Sequence, residues 1–336
     1  MSVTLRHVAE RAGVSIRTVS NVVNDFPHVA PQTRARVQQV LEELGYQPNT
    51  AARTLRRGRT GMIALVLPEL DVPYFAELTR AVIEHATNHG YTVVIDQTDG
   101  DPARERDLVM RGSRAALFDG LIFSPLALGG ADLRDRPIKQ PVVLLGERIV
   151  HSGLDHIMID NVAAARTATQ HLIDIGRRRI AAIGDQRHVT RQTARLRTQG
   201  YLDALRAAGL PAEDDLICQT AYFHRADGAQ AMTRLLQPDN PPDAVFCYND
   251  LLALGALRTA LRHGMRVPDD IAIVGFDDIE DGRYSTPSLT TISPDKTQIA
   301  RLAIDLLMRR LGGDEAPPLE LTTDFHLAVR ESTEMR

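Results

Sequence analysis

Apolar positions in the first 45 residues recur at helical spacing in three short runs. Leu5, Val8 and Ala9 mark the first, which Thr4 can cap and Gly13 can end in a left-handed turn. Ser15 can cap the second, with Val19, Val22 and Val23 on one side. The third extends from about Pro31 to Leu44 through Val37, Val40 and Leu41, and Gly45 stops it. Two helices joined by a short glycine-containing turn are the sequence signature of a helix-turn-helix. In the second run Ile16, Arg17, Ser20, Asn21 and Asn24 fall opposite the valines, free to enter a groove. The pattern alone also fits a generic three-helix bundle.

Tyr46-Gln47-Pro48-Asn49 follows, where proline keeps its predecessor extended and Asn49 can cap another helix. That helix, Thr50 to about Arg57, is too short to persist alone in water and needs a surface to pack against. Beyond Gly58 the pattern changes to repeated strand and helix units. Strands are expected at Met62–Leu67, Thr92–Asp96, Gly120–Phe123, Val142–Leu145, Ile180–Ile183, Ala244–Cys247 and Ile271–Val274, and a helix at Tyr74–His89. Such alternation calls for parallel sheets covered by helices on both faces. The length of this region exceeds one comfortable core, so two similar lobes are expected. The fold class is thus an all-α helix-turn-helix headpiece followed by a two-lobed α/β body.

Charge sharpens this division. Residues 1–60 hold nine arginines against Glu10, Asp25, Glu42 and Glu43, a balance of +5, while the chain as a whole carries −4. A basic end on an acidic body reads as a nucleic-acid-binding head on a body that phosphates would repel, although a solvated charged face would look the same. No apolar run approaches the length of a membrane helix, and the first twenty residues lack the pattern of a signal peptide, so a cytoplasmic protein is expected. Cys218 and Cys247 are far apart in sequence and suggest core filling, not a disulfide or zinc site. No cofactor or metal is expected. Enzymatic motifs such as a phosphate loop, a dinucleotide fingerprint, a nucleophile elbow or HExxH are missing from the sequence. Asp277-Asp278 is a conceivable catalytic pair, but neighbouring residues at a strand end point apart.

The run from Val3 to Asn24 closely resembles the headpiece of the lactose/galactose repressor family. The similarity continues through Tyr46-Gln-Pro-Asn49, Ala51, Ala52 and Leu55, which look like that family's hinge helix, and through Pro73-Tyr-Phe-Ala-Glu77. Later matches are His171-Leu172 with Gly176, Ala253-Leu-Gly-Ala256, Val274-Gly-Phe-Asp-Asp278 and Leu289-Thr-Thr-Ile292. The resemblance implies a sequence-specific transcriptional regulator, expected to be a repressor, that binds a palindromic double-stranded DNA operator as a homodimer. It implies a helix-turn-helix domain at 1–46, a hinge at 47–59 and a periplasmic-binding-protein-like, effector-binding body at 60–336. Crossings between lobes are expected near Asp160, Ile292 and Leu319. The first lobe then takes about 60–160 and 292–319, and the second about 161–291 and 320–336.

Carried onto this chain, the family's base-reading positions are Ile16, Arg17 and Asn21. Arginine can donate twice to guanine, asparagine can pair with adenine, and isoleucine can touch a thymine methyl. Ser15, Thr18, Ser20, Asn24 and the loop residue His28 suit phosphate or sugar contacts, which set register without reading sequence, and Thr4 joins them in the DNA-binding set. In the hinge, Leu55 matches a leucine wedged into the minor groove, with Asn49 and Ala52 beside it in the DNA-contacting set.

The family's effector-binding positions map onto Arg197, Asn249 and Asp277, with Phe75 and Phe223 as aromatic walls. Charge-assisted hydrogen bonds from such a set suit hydroxyl groups, so the resemblance implies a sugar or sugar derivative, with a purine or another small metabolite as the alternative. Gly146-Glu147 stands where the lactose repressor has an acidic ligand contact, a departure that bears on which effector is bound. The C-terminal residues lack the leucine heptads that would join dimers into a tetramer. A solute-binding protein serving a transporter is the competing reading of the body, and it would require export.

Overall fold

The structure is a computed structural model and describes residues 3–24, 26–46, 59–110, 117–134, 140–146, 152–186, 192–237 and 239–334. The chain divides after Thr60 into a headpiece and a body.

In the headpiece, α1 spans Leu5–Ala12, α2 Ile16–Val23 and α3 Pro31–Glu43. Thr4 occupies the N-cap of α1 in extended conformation, and its N–H donates to His7 Nδ1 at 3.3 Å. Gly13 ends α1 at φ +64°, a left-handed conformation that costs glycine little. Ser15 Oγ accepts the Thr18 N–H at 3.1 Å at the start of α2. Val8, Ala9, Ala12, Val19, Val22, Val37 and Val40 form one apolar core that fixes the three helices against each other. Arg34 donates to the Phe26 carbonyl at 2.6 Å and so ties the loop after α2 to α3.

Among the described residues the body forms two six-stranded sheets. The first-lobe elements are β1 (Met62–Leu67), α4 (Pro73–Asn88), β2 (Thr92–Gln97), α5 (Pro102–Met110), β3 (Gly120–Phe123), α6 (Gly130–Arg134), β4 (Val142–Leu145) and β5 (Asp155–Ile159). The second lobe follows with α7 (Asn161–Asp174), β6 (Ile180–Asp185), α8 (Gln192–Ala207), β7 (Ile217–Gln219), α9 (Arg225–Leu235), β8 (Ala244–Cys247), α10 (Asp250–Arg262), β9 (Ala272–Phe276), α11 (Glu280–Arg283) and β10 (Thr290–Pro294). Then α12 (Lys296–Leu311) and β11 (Glu320–Thr323) return to the first lobe, and β12 (Phe325–Ala328) to the second.

The first sheet runs β2-β1-β3-β4-β5-β11, every neighbouring pair parallel. The second runs β7-β6-β8-β9-β10-β12, parallel except for β12 against β10. Burial on both faces follows the two-residue strand period: in β1, Ile63, Leu65 and Leu67 join the main core, whereas Ala64 and Val66 join a second cluster with Phe123 and Leu144.

The strand pairing fixes where the chain crosses between the sheets and moves the last crossing. The chain leaves the first sheet after β5, beside Asp160; Ile292 lies inside β10 of the second sheet, and the return falls after Pro294. Residues 320–323, expected in the second lobe, form β11 and pair with β5 of the first, so the last crossing is at Asp324. A strand pair that links residues so distant in the chain leaves no local periodicity to read.

Candidate effector cleft and nucleic-acid interface

In open parallel sheets of this order, ligands bind outside the carboxyl ends of the strands, where the strand order reverses. The carboxyl ends of both sheets border one cavity of about 190 Å³ in the body. A single water needs only about 10–15 Å³ of such space, so the cavity is sized for a small metabolite. Pro68 and Glu69 follow β1, Ser124 follows β3, Gly146 follows β4, Gln186 follows β6, Asn249 follows β8 and Asp277 follows β9, and all line it.

Phe75, Arg197, Phe223, Asn249 and Asp277, the five positions named from the sequence, all line this cavity. Arg197 is buried on α8. Its Nε donates to Asn161 Oδ1 at 2.7 Å, a second nitrogen donates to the Tyr248 carbonyl, and the guanidinium lies 3.4 Å from the centroid of the Phe276 ring. A guanidinium has five N–H donors in a fixed plane, and this clamp orients it. The approach depends on Gly200: a Cβ there would lie 2.2 Å from the Val162 carbonyl oxygen, so only glycine lets α8 come close enough to α7.

Asn249 has a structural task that the sequence reading did not include. Its Oδ1 accepts the Leu252 N–H at 2.9 Å as the N-cap of α10, and its Nδ2 donates to the Phe223 carbonyl at 3.0 Å. It therefore sets the position of the aromatic wall, with one amide hydrogen left over. Asp277 sits in a turn with unusual backbone: φ is +113° at Asp277 and +49° at Asp278. Such conformations in a non-glycine residue persist where surrounding structure over-determines them. Here the Asp277 N–H donates to the Ile292 carbonyl at 2.8 Å and the Ile279 N–H to Asp250 Oδ2 at 2.9 Å.

Electrostatics in this corner are uneven. Burial pushes the Asp278 carboxyl up, but hydrogen bonds from Arg283, Arg330 and Ser293 outweigh it and hold the group below the usual carboxylate range. Asp250 is fully buried; burial, with Asp277 adding to it, pushes its carboxyl well above that range. Burial likewise raises the Tyr248 hydroxyl, which stays neutral and hydrogen-bonds Thr198 at 2.6 Å.

Sequence reasoning missed Glu69 and His224, which meet across the cleft at 2.7 Å between Oε2 and Nε2. Position immediately after a strand end was a usable signal for Glu69, Ser124 and Gln186. Nothing local marked His224. Both cysteines are buried free thiols, and among the described residues no group of three metal-ligating side chains occurs. No helix among the described residues is long and apolar enough to cross a membrane.

On the headpiece, Ile16 and Arg17 are exposed on α2 while Val19 and Val22 are buried, and Asn21 is half-buried. An isoleucine 45% exposed beside an arginine is apolar surface that the headpiece core does not use. Ser15 Oγ lies 2.8 Å from Thr18 Oγ1, and Asn24 Nδ2 donates to the Ser20 carbonyl at 2.6 Å, so four of the residues assigned to phosphate also secure the ends of α2. His28 is exposed and makes an edge contact with Phe26, ring centroids 5.5 Å apart. Asn49, Ala52 and Leu55 lie outside the described residues.

Residues 4–49 match the model of bacterial regulatory proteins of the lacI family, and residues 169–333 match the periplasmic binding protein-like domain. The chain is 33% identical to the transcriptional repressor CytR of Escherichia coli over 98% of its own length and 96% of the relative's. It is similar in structure to the lac repressor dimer bound to operator and the anti-inducer ONPF, with TM-score 0.86 and 27% identity over 99% of both chains. A complex of the regulator CelR with cellobiose matches at TM-score 0.70 and 33% identity, over 98% of this chain and 99% of that one. With a helix-turn-helix headpiece, a two-lobed body and a relative of this identity across nearly its whole length, the chain belongs to the lacI family of bacterial regulatory proteins and is a transcriptional repressor, not an enzyme.

Proposed function

We propose that this repressor binds an inverted-repeat operator as a homodimer and is controlled allosterically by a sugar or sugar derivative held in the cleft, acting in the cytoplasm where its DNA lies. The observation that carries the reading is the convergence of Arg197 from α8, and of Asn249 and Asp277 from the ends of β8 and β9, on one cavity walled by Phe75 and Phe223. An anchored guanidinium and a carboxylate together offer donors and acceptors to vicinal hydroxyls, and flat rings cover the apolar face of a sugar. The cellobiose complex of a relative supports this class of ligand.

At the operator, Arg17 and Asn21 read base edges in the major groove and Ile16 packs on a thymine methyl, while Thr4, Ser15, Thr18, Ser20, Asn24 and His28 contact the backbone. Asn49, Ala52 and Leu55 serve the hinge, with Leu55 as the minor-groove wedge. One recognition helix contacts few base pairs, so two are required, one in each half-site. The test is calorimetric titration of the full chain with ribose, cellobiose, adenosine and free purine bases. Saturable binding of a hydroxyl-bearing ligand that is lost in Arg197→Ala and Asp277→Ala is expected. Binding of a purine base alone, or undiminished binding by both variants, contradicts the reading.

A further inference from the structure

The turn that carries Asp277 is gripped from both lobes. Within its own lobe, the Asp278 carboxylate accepts from Arg283 at 2.9 Å, Arg330 at 2.6 Å and Ser293 at 2.9 Å. From the other lobe two side chains reach its backbone. Glu77, on the α4 helix that also carries Phe75, accepts the Glu280 N–H on Oε1 at 3.1 Å. Its other oxygen pairs with Lys296 at the start of α12, and Lys296 Nζ donates to the Asp278 carbonyl at 3.0 Å. The same ammonium lies 5.8 Å from the ring centroid of Tyr74, which lines the cavity.

An ordinary exposed ion pair adds little to stability and positions little. This pair differs in two respects. The Lys296 side chain is only 12% exposed, and each partner also bonds a backbone group of the opposite lobe, on the two sides of Ile279. Neither Glu77 nor Lys296 is among the residues that line the cavity, and their hydrogen bonds to the opposite lobe go to the turn. That turn includes the positive φ angles of Asp277 and Asp278, conformations that persist in non-glycine residues where the surroundings support them.

We propose that Glu77 and Lys296 are positioning residues of the effector site: a first-lobe clasp that holds the second-lobe Asp277–Glu280 turn in its ligand-facing geometry. The proposal rests on the reading that Asp277 binds the effector. It makes the cleft a site assembled across the lobe boundary, in which separation of the lobes releases the turn and removes one of the ligand's partners.

Hydrogen exchange followed by mass spectrometry on the full chain without added ligand tests this, using wild type, Lys296→Met, Glu77→Ala and Lys296→Arg. Hydrogen bonds to charged groups are stronger than neutral ones, so peptides covering 277–282 should exchange about tenfold faster or more in Lys296→Met and Glu77→Ala. Lys296→Arg, which keeps a cationic donor, should stay close to wild type, and β8 peptides should be unchanged in all variants. Wild-type exchange at 277–282 in both disruptive variants overturns the clasp. Faster exchange throughout, β8 included, also overturns it, because the pair would then support the whole body and not the turn. No ligand enters the measurement, so failure here is separate from failure of Asp277 as an effector contact, which the Asp277→Ala titration judges.

Discussion

Arg197 donates through Nε to Asn161 Oδ1 at 2.7 Å, which joins a cleft guanidinium to the first residue after the chain crosses from one lobe to the other. Asn161 is buried beneath α8, and Asp160 before it caps α7 by accepting the Ala163 N–H at 2.9 Å. The orientation of the cleft arginine is thus referred to the crossing itself. Asn161 and Arg197 belong to the same lobe, so the bond fixes the guanidinium relative to the lobe edge at which the chain crosses.

Asn161→Ala should leave a buried charged donor short of one partner, a loss of about 1–3 kcal/mol. For a body of this size that lowers the melting temperature by several degrees, roughly 2–4 °C per kcal/mol. Thermal denaturation of the variant beside wild type measures it; an unchanged melting temperature means the Arg197–Asn161 bond contributes nothing to the body.

Asp250 predicts an unusual pH dependence. A carboxyl raised above its ordinary value of 3.8 on folding contributes stability that is complete below that value and lost as pH rises through the folded one. The amide introduced by Asp250→Asn stays neutral throughout, whatever fixed cost it incurs beside the Ile279 N–H and the Thr291 hydroxyl. The melting-temperature advantage of wild type over Asp250→Asn should therefore shrink from about pH 4 to about pH 8. An advantage that grows over this range would show the carboxylate to be stabilised by its surroundings, contrary to the account.

The parts of the fold that were legible from the residues are those with strong local pattern. The headpiece helices are set by caps and by valines at helical spacing, and β1, β3, β4 and β8 by short unbroken apolar runs. β5 begins with Asp155 and His156, buried polar residues that hide the strand, and β11 is an edge strand with mostly exposed or half-buried positions. Both were missed, and with β11 the place of the last crossing. The five cleft residues came from family resemblance, since no periodicity brings them together. The contacts that organise them join residues 36 apart for Arg197 and Asn161 and 155 apart for His224 and Glu69, separations at which sequence pattern carries no information.

On the DNA side, Arg17→Ala should cost about 1–3 kcal/mol at one base pair in each half-site and relax the preference there. Binding measured against a set of operators substituted one position at a time distinguishes this from a backbone role. A uniform loss over all operators would reassign Arg17 to phosphate contact.

The central claim is that cleft and headpiece are coupled: a ligand spanning Phe75 of the first lobe and Arg197 and Asp277 of the second selects one lobe arrangement, and so does the operator. Linkage requires the two effects on affinity to be reciprocal. The most direct measurement is effector affinity by calorimetry with and without a saturating inverted repeat, selected by the protein from random DNA, alongside operator affinity with and without effector. The account predicts that the operator changes effector affinity, that the effector changes operator affinity by the same factor, and that the effector has no influence on operator binding in Arg197→Ala and Asp277→Ala. Identical effector affinity in the presence and absence of operator would contradict it.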